Sequence, residues 1–433
     1  MAKKLIMGVA VFAVTATVLA GCAGNSAPST TEGEVGGEIT VLTNRTDLVD
    51  NTFEEYATQF EEANPGTSVK FEAITDYETD VSTRLSSGNY GDVLLIPNTV
   101  TKVQLAQFFE PLGSVDELSK TYRFVTEQAY DDKAYGVAIT GNAQGIAYNK
   151  RIWEEAGVTE LPKTPEDFLA DLKLIKDSTD AIPYYTNYAS DWPLSQWEGN
   201  RALTGAEAEN VSLVESDTPW ADDEYHGIVD GLLFDIVEGG LSEADPTTTD
   251  WESSKGLIGS GEVATMVLGS WSLTQLQDAA KTAGASADDI GYMPFPYEVD
   301  GQQFATIGGD YKNAISAKSD NKATALAWIE WFAAESGYAA SQGGLSPLAD
   351  GEDPETLTEF SATGVNYVEL LPLPQKQATF ENDIISESEI DLWGSLYRKQ
   401  IIDIARGAAD GDKESYFGEL DTKWSEARAS VAG

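Results

Sequence analysis

Tyr135-Gly136-Val137-Ala138-Ile139-Thr140-Gly141-Asn142-Ala143-Gln144-Gly145-Ile146-Ala147-Tyr148-Asn149-Lys150 is the stretch whose reading decides the fold. Two short β runs, Tyr135 to Thr140 and Gly145 to Tyr148, are broken by Gly141 and Gly145. Asn149-Lys150 then opens a helix into Arg151-Ile152-Trp153. Glycines inside a strand pattern mark a bend or a close backbone approach. One α/β pattern precedes this stretch and a different one follows it. A bent, paired strand between two such blocks is what a hinge between two lobes looks like.

Upstream, Glu38 to Thr43 alternates as a first strand, with Ile39, Val41 and Thr43 on one face. Thr52-Phe53-Glu54-Glu55 fits a capping box, and Phe53, Tyr56, Ala57, Phe60 and Ala63 recur at helical spacing until Asn64-Pro65-Gly66 stops the helix. Val69, Phe71 and Ala73 form a second strand, and Tyr77, Val81 and Leu85 mark a helix ended at Gly88. Asp92-Val93-Leu94-Leu95-Ile96 suits a parallel strand buried on both faces, with Asp92 structural at its mouth. This alternation predicts a doubly wound sheet, whose ligands bind beyond the carboxyl ends of the strands. Asn44 to Asp47 and Pro97 to Thr101 are then the loops to watch. Asp47 reads equally as a ligand contact and as a solvated acid or helix cap. Asn44 is a candidate contact in a position that also suits a turn former. No GxGxxG follows the first strand and no GxxxxGK[ST] occurs, so phosphate-loop chemistry is not indicated.

Downstream, Thr164 can cap a helix with Pro165 in its first position, running through Leu169, Leu172 and Ile175. Pro183 to Trp197 is the most aromatic part of the chain, interleaved with Asn187, Asp191, Ser195 and Gln196. Sugars present C–H faces that pack on aromatic rings and hydroxyls that need directed donors and acceptors. Asn187, Trp192 and Trp197 are therefore candidate ligand contacts, against the alternative of a core segment. Glu262 to Leu268 reads as a buried strand running into Gly269-Ser270, which leaves Trp271 at a strand carboxyl end and opens a helix through Leu273 and Leu276. Asn142 in the hinge stretch, and Asp310 and Tyr311 after Gly308-Gly309, complete the cleft candidates. The two glycines suit either backbone amides approaching a ligand or a tight turn. Ser319 to Ala334 is an amphipathic helix. Glu389 to Ala409, which contains Trp393, and Asp412 to Ala429 are closing helices.

Several of these segments together carry a resemblance. Tyr135-Gly136-Val137, the glycine-bearing turn, Ala147-Tyr148-Asn149-Lys150 and Ala156-Gly157-Val158 occur in an order and spacing similar to the extracellular solute-binding proteins of carbohydrate ABC importers, the maltose/oligosaccharide-binding-protein-like branch. Leu161 to Phe168, the strand leading to Gly269-Ser270-Trp271, and Gly343-Gly344-Leu345-Ser346-Pro347 extend the match over most of the chain. Pro165 stands where the family has a tryptophan.

The resemblance implies a two-lobed periplasmic-binding-protein-like α/β fold of type II, with two doubly wound sheets joined by a multi-strand hinge. Residues 38–141 with 308–350 would form the first lobe and 142–307 with 351–433 the second. It further implies that Trp271 stacks on ligand, that the loops at 44–47 and 97–101 face the cleft, and that Trp393 supplies an aromatic contact. The partners implied are a carbohydrate and the permease subunits of the transporter, with no cofactor and no catalysis. Two other readings stay open. A secreted glycosidase needs two carboxylates at defined separation, which 72 acidic residues make impossible to judge by counting. The same fold could carry iron or a polyamine; adjacent Tyr184-Tyr185 fits an iron site superficially. His226, flanked by Asp222, Asp223 and Glu224, reads as part of a solvated helix start rather than a metal ligand.

The chain begins with Lys3-Lys4, an apolar run from Leu5 to Ala20, and Leu19-Ala20-Gly21-Cys22. This describes a secretory signal rather than a membrane span, and its last four residues resemble a bacterial lipobox, implying cleavage before Cys22 and lipidation of its thiol. Cys22 is the sole cysteine, so no intramolecular disulfide can form. Residues 22–37 read as the lipidated cysteine and a flexible tether. Removing residues 1–21 takes away Lys3 and Lys4 and no acid, so the net charge of −45 becomes −47. Such a chain does not bind nucleic acid through phosphate contacts. It is repelled by anionic headgroups, so membrane attachment falls to the lipid. Extracytoplasmic location at the cell membrane and a monomeric state follow as expectations.

Overall fold

The computed structural model describes residues 33–432. The expected signal sequence, Cys22 and most of the expected tether lie outside the described residues. Among those described, no helix is long and apolar enough to cross a membrane.

The strands that organise the chain are β1 (Gly37–Thr43), β2 (Thr67–Ala73), β3 (Val93–Leu95), β4 (Val137–Ala138), β5 (Gly141–Asn149), β6 (Thr265–Gly269), β7 (Ile290–Met293), β8 (Gln302–Gly309), β9 (Lys312–Ile315) and β10 (Asn366–Glu369). They form two sheets, one in each lobe. In the first, the order is β2-β1-β3-β9-β4; β1 is parallel to β2 and β3, while β9 is antiparallel to β3 and β4. In the second, β5 runs antiparallel to β6, β7 and the end of β8, and β8 is parallel to β10.

Helices cover the sheets because their apolar faces have nowhere else to go. α1 (Thr52–Ala63) buries Phe53, Tyr56, Ala57 and Phe60, and α2 (Tyr77–Ser87) buries Tyr77, Val81 and Leu85 and ends at Gly88 in a left-handed cap. α3 (Lys150–Glu155) starts where the Asn149 side chain accepts the Ile152 N–H, and α4 (Pro165–Ser178) where Thr164 accepts the Asp167 N–H. The second lobe adds α5 (Tyr225–Glu238) and α6 (Leu273–Thr282). α7 (Lys322–Ala334) returns to the first lobe, burying Trp328, Ile329 and Phe332 in the core that holds Phe53 and Phe60. α8 (Tyr338–Ser341) follows it, and α9 (Leu396–Ala405) and α10 (Lys413–Ala432) close the second lobe.

Between the lobes two strands cross side by side. Val137↔Asn313 and Ala138↔Lys312 pair in the first sheet, and Gly141↔Gly309, Asn142↔Gly308 and Ala143↔Ile307 pair in the second. The ladder is unbroken between them: Ile139 donates to the Tyr311 carbonyl at 2.9 Å and Asp310 to the Thr140 carbonyl at 2.8 Å. Leu345 adds a third segment, exchanging two 2.8 Å bonds with Gly141.

The structure revises several sequence expectations. β5 begins at Gly141 and runs through Gly145, which is no break. A Cβ there would meet the Met293 carbonyl at 2.6 Å, so the glycine permits close strand approach. Gly308 and Gly309 do not offer amides to a ligand; they are paired in β8, and the Gly309 N–H is spent on Glu127 Oε1. The cap of α1 is Asn51, not Thr52. The end of the expected tether is held, because Gly36 exchanges two hydrogen bonds with the Thr324 hydroxyl before β1 begins. Trp393 precedes α9 rather than lying within a helix.

His226 is not solvated. It lies fully buried on the inner face of α5, stacked on Trp220 at 4.7 Å, with Nε2 at 3.1 Å from Glu198. Glu198 also receives Arg201 and Arg398, and Arg398 reaches Asp230 at 2.8 Å. Burial raises the Glu198 carboxyl, but His226, Arg201 and Arg398 overcome that and hold it well below the usual range. The network ties α5 and α9 to the 3-10 segment Trp192–Thr204.

Candidate functional site

A cavity of about 730 Å³ lies where the two lobes face each other over the hinge. From the first lobe it is lined by Arg45, Asp47, Tyr338, Gln342 and Gly344, from the crossing strands by Thr140, Asn142 and Asp310, and from the second lobe by Trp271, Thr274, Gln275 and Asp278.

The first-lobe wall is built on Arg45, in the loop beyond the carboxyl end of β1, where a wound sheet presents its ligands. Its guanidinium grips Asp47 with two bonds, Nε to Oδ1 at 2.8 Å and Nη2 to Oδ2 at 2.7 Å. Nη1 donates to the Tyr338 hydroxyl at 2.9 Å and to Gln342 Oε1 at 2.6 Å. The hydrogen bond from Arg45 holds the Asp47 carboxyl below its ordinary range. The 44–47 loop is thereby tied to α8.

The second-lobe wall is the start of α6. β6 ends at Gly269, a single 3-10 turn carries Trp271, and the helix follows. Trp271, Thr274, Gln275 and Asp278 are spaced three, four and seven residues apart, which places them on one helical face. The Trp271 indole N–H donates to Gln196 Oε1 at 3.3 Å, which fixes the ring. Trp192 lies 5.6 Å from it and Trp251 5.7 Å. Trp251 is buried, Trp271 half-buried and Trp192 exposed, so the ring that lines the cavity packs against one tryptophan of the core and one at the surface.

Of the ten residues expected to touch ligand, the cavity brings together Asp47, Asn142, Trp271 and Asp310. Trp192 adjoins them through Trp271. Trp197 is corrected: it is wholly buried, and its indole donates to the Tyr184 hydroxyl at 3.0 Å. Asn187 is likewise buried, its amide turned to the Met266 sulfur. Tyr311 packs edge-on against Tyr77 and donates its hydroxyl to Glu78 at 2.6 Å, outside the cavity lining. Asn44 is half-buried beside the loop and does not line the cavity. Trp393 is 55% exposed and rests on the Arg201 guanidinium at 4.7 Å, away from this cavity. Tyr184, one of the adjacent pair, is a core residue.

Sequence reasoning missed Arg45, Thr274, Gln275, Asp278, Tyr338 and Gln342. Three of these had a signal: polar residues at helical spacing from Trp271. Arg45 lies inside the 44–47 loop already expected at the cleft, but nothing singled it out there, because the partners that make it a wall residue include Tyr338 and Gln342, almost three hundred positions away.

The wall chemistry is one aromatic face surrounded by amides, hydroxyls and carboxylates. It can receive a hydroxyl-rich ring by stacking on one side and hydrogen bonding around the rim.

Comparison with known proteins agrees with this geometry. Residues 46–339 match the family described as bacterial extracellular solute-binding protein. The chain is 25% identical over 411 residues to the diacetylchitobiose binding protein DasA of Streptomyces coelicolor, covering 88% of this chain and 92% of that one. In structure it is similar to BlMnBP1, the binding protein of an ABC transporter from Bifidobacterium animalis subsp. lactis in complex with mannobiose. The TM-score is 0.79 and the identity 35%, over 92% of this chain and 95% of that one. The manno-oligosaccharide specific BlMnBP2 of the same organism, in complex with mannotriose, gives a TM-score of 0.78 at 34% identity, over 92% and 95%.

Proposed function

The chain belongs to the bacterial extracellular solute-binding proteins, and from that premise we propose that it captures an oligosaccharide between its lobes and delivers it to the permease of an ABC importer. The observation that carries this reading is the cavity at the lobe boundary, with Trp271 on one wall and the Arg45–Asp47 clamp on the other. Residues 38–141 with 308–350 move as one lobe and 142–307 with 351–433 as the other, about the crossing strands. Closure is a population shift, so the sugar must contact both walls better in the closed state than in the open one. The relatives' ligands make mannose-containing oligosaccharides the first to test. Leu19-Ala20-Gly21-Cys22 supports anchoring of the secreted monomer by a lipid on Cys22.

A thermal-shift screen of residues 23–433 against mono- and oligosaccharides, ferric ion and polyamines tests the proposal. A ligand at a hundred times its dissociation constant adds about 2.7 kcal/mol of stability. A shift with an oligosaccharide is expected. A shift with ferric ion or a polyamine alone would overturn the choice of ligand.

A further inference from the structure

We infer that the cavity selects uncharged sugars and excludes those bearing carboxylate or phosphate, and that Asp278 and Asp310 are the residues that set this selection. The inference rests on the oligosaccharide reading above and narrows its substrate class.

The charged groups on the cavity walls are Arg45, Asp47, Asp278 and Asp310. An anionic sugar is normally received by an arginine with a free pair of donors. Arg45 has no such pair to offer. Of the five N–H groups a guanidinium carries, Nε and one Nη2 proton hold Asp47, and both Nη1 protons hold Tyr338 and Gln342. Its charge is cancelled at contact distance by Asp47. Asp310 lies exposed at the crossing strands and accepts the Tyr311 N–H at 2.9 Å; no salt bridge to it exists among the described residues. Asp278 lies across on α6, exposed, and pairs at 3.0 Å with Lys281, its only cationic partner among the described residues. Arg45 and Asp47 cancel each other and Lys281 offsets Asp278, which leaves Asp310 as the wall's one charge without a partner among the described residues, in a chain with 72 acidic and 27 basic residues. An anion entering it would lose part of its hydration, find no cationic side chain free to receive it on the walls, and meet the Asp310 carboxylate at the crossing strands.

A neutral sugar meets the opposite situation. Carboxylates accept from hydroxyls, and such charge-assisted bonds are short and strong. Asn142 and Gln275 can both donate and accept, and among the described residues their side-chain amides make no hydrogen bond within the protein. Trp271 covers a ring face. Asp278 and Asp310 thus have two effects, binding hydroxyls and repelling anions.

The test titrates residues 23–433 with neutral trisaccharides (mannotriose, cellotriose, galactotriose) and with the uronate trimers of matching linkage, at 50 mM and 300 mM salt. A neutral trimer is expected to bind, and its acidic counterpart at least a hundredfold more weakly, with the gap shrinking at the higher salt as the Debye length falls. In the Asp278→Asn/Asp310→Asn variant the gap should narrow by tenfold or more. Both positions are exposed, so the variant keeps its fold. An acidic trimer that binds as tightly as its neutral counterpart would overturn the inference and leave the sugar reading standing, as would a gap unchanged in the double variant. If neither these trimers nor any oligosaccharide of the thermal-shift screen binds, the oligosaccharide reading itself falls.

Discussion

Replacing Gly141 by alanine tests how tightly the hinge is built. Gly141 pairs with Gly309 and with Leu345 at the point where the chain crosses between sheets. Its φ is not positive, so alanine meets no backbone penalty and the cost is purely steric. An added Cβ would stand 2.4 Å and 2.5 Å from two ring carbons of Phe124 and 3.2 Å from Leu345 Cβ. Phe124 cannot move aside easily. It is 1% exposed, its φ is 65°, and its N–H is held by Glu369 Oε2 at 3.0 Å. Forced overpacking of this kind costs about 1–3 kcal/mol. Phe124→Ala alone removes a buried ring at about 3–5 kcal/mol, but it also empties the space the new methyl needs. The double variant should therefore lose little more than Phe124→Ala alone, a coupling of roughly 1–3 kcal/mol in a double-mutant cycle. Urea unfolding of the four proteins measures it. A Gly141→Ala variant within about 0.5 kcal/mol of the parent, or strict additivity in the cycle, would refute the reasoning.

Other outcomes follow from the charges and from the chain's start. Glu198→Gln leaves Arg201 and Arg398 buried without their shared carboxylate, and should cost about 3–5 kcal/mol at pH 7. Because the Glu198 carboxyl is held low in the folded state, its contribution is present above the unfolded pKa of about 4.3 and fades as pH falls below it; the gap between parent and variant should close in acid. Asp171 has the opposite sign: burial, with Asp167 one turn away, pushes its carboxyl up to about 6. The folded state is then penalised increasingly from about pH 4 to 6, so Asp171→Asn should stabilise above pH 6 by about 0.5–1 kcal/mol, discounted for solvent screening at a half-buried site, and have no effect below pH 4. Cys22→Ser should move the protein from the membrane fraction to the soluble one in cell fractionation; retention at the membrane would exclude a lipid on that thiol.

The parts of the fold that sequence made legible are those with local causes. Asn149 and Thr164 cap the helices that follow them, Gly88 ends α2, and Val93–Leu95 is buried on both faces, all within a few residues of their signal. The site was legible where a strand end could be located, as at Trp271 and Asp47. It failed where tertiary packing decides between like residues. Trp192 and Trp197 share one aromatic stretch, yet one lies exposed beside Trp271 and the other donates to Tyr184 in the core. His226 was misread because its acidic neighbours suggested solvent, whereas its partner Glu198 lies 28 positions earlier in the chain.

Calorimetric titration of the parent and of Trp271→Ala with the oligosaccharide giving the largest thermal shift tests the central claim most directly. Loss of a stacked ring and its buried area should weaken binding by about 1–2.5 kcal/mol, roughly five- to sixtyfold in Kd. Equal affinity in the two proteins, or no oligosaccharide bound by the parent, would contradict the account.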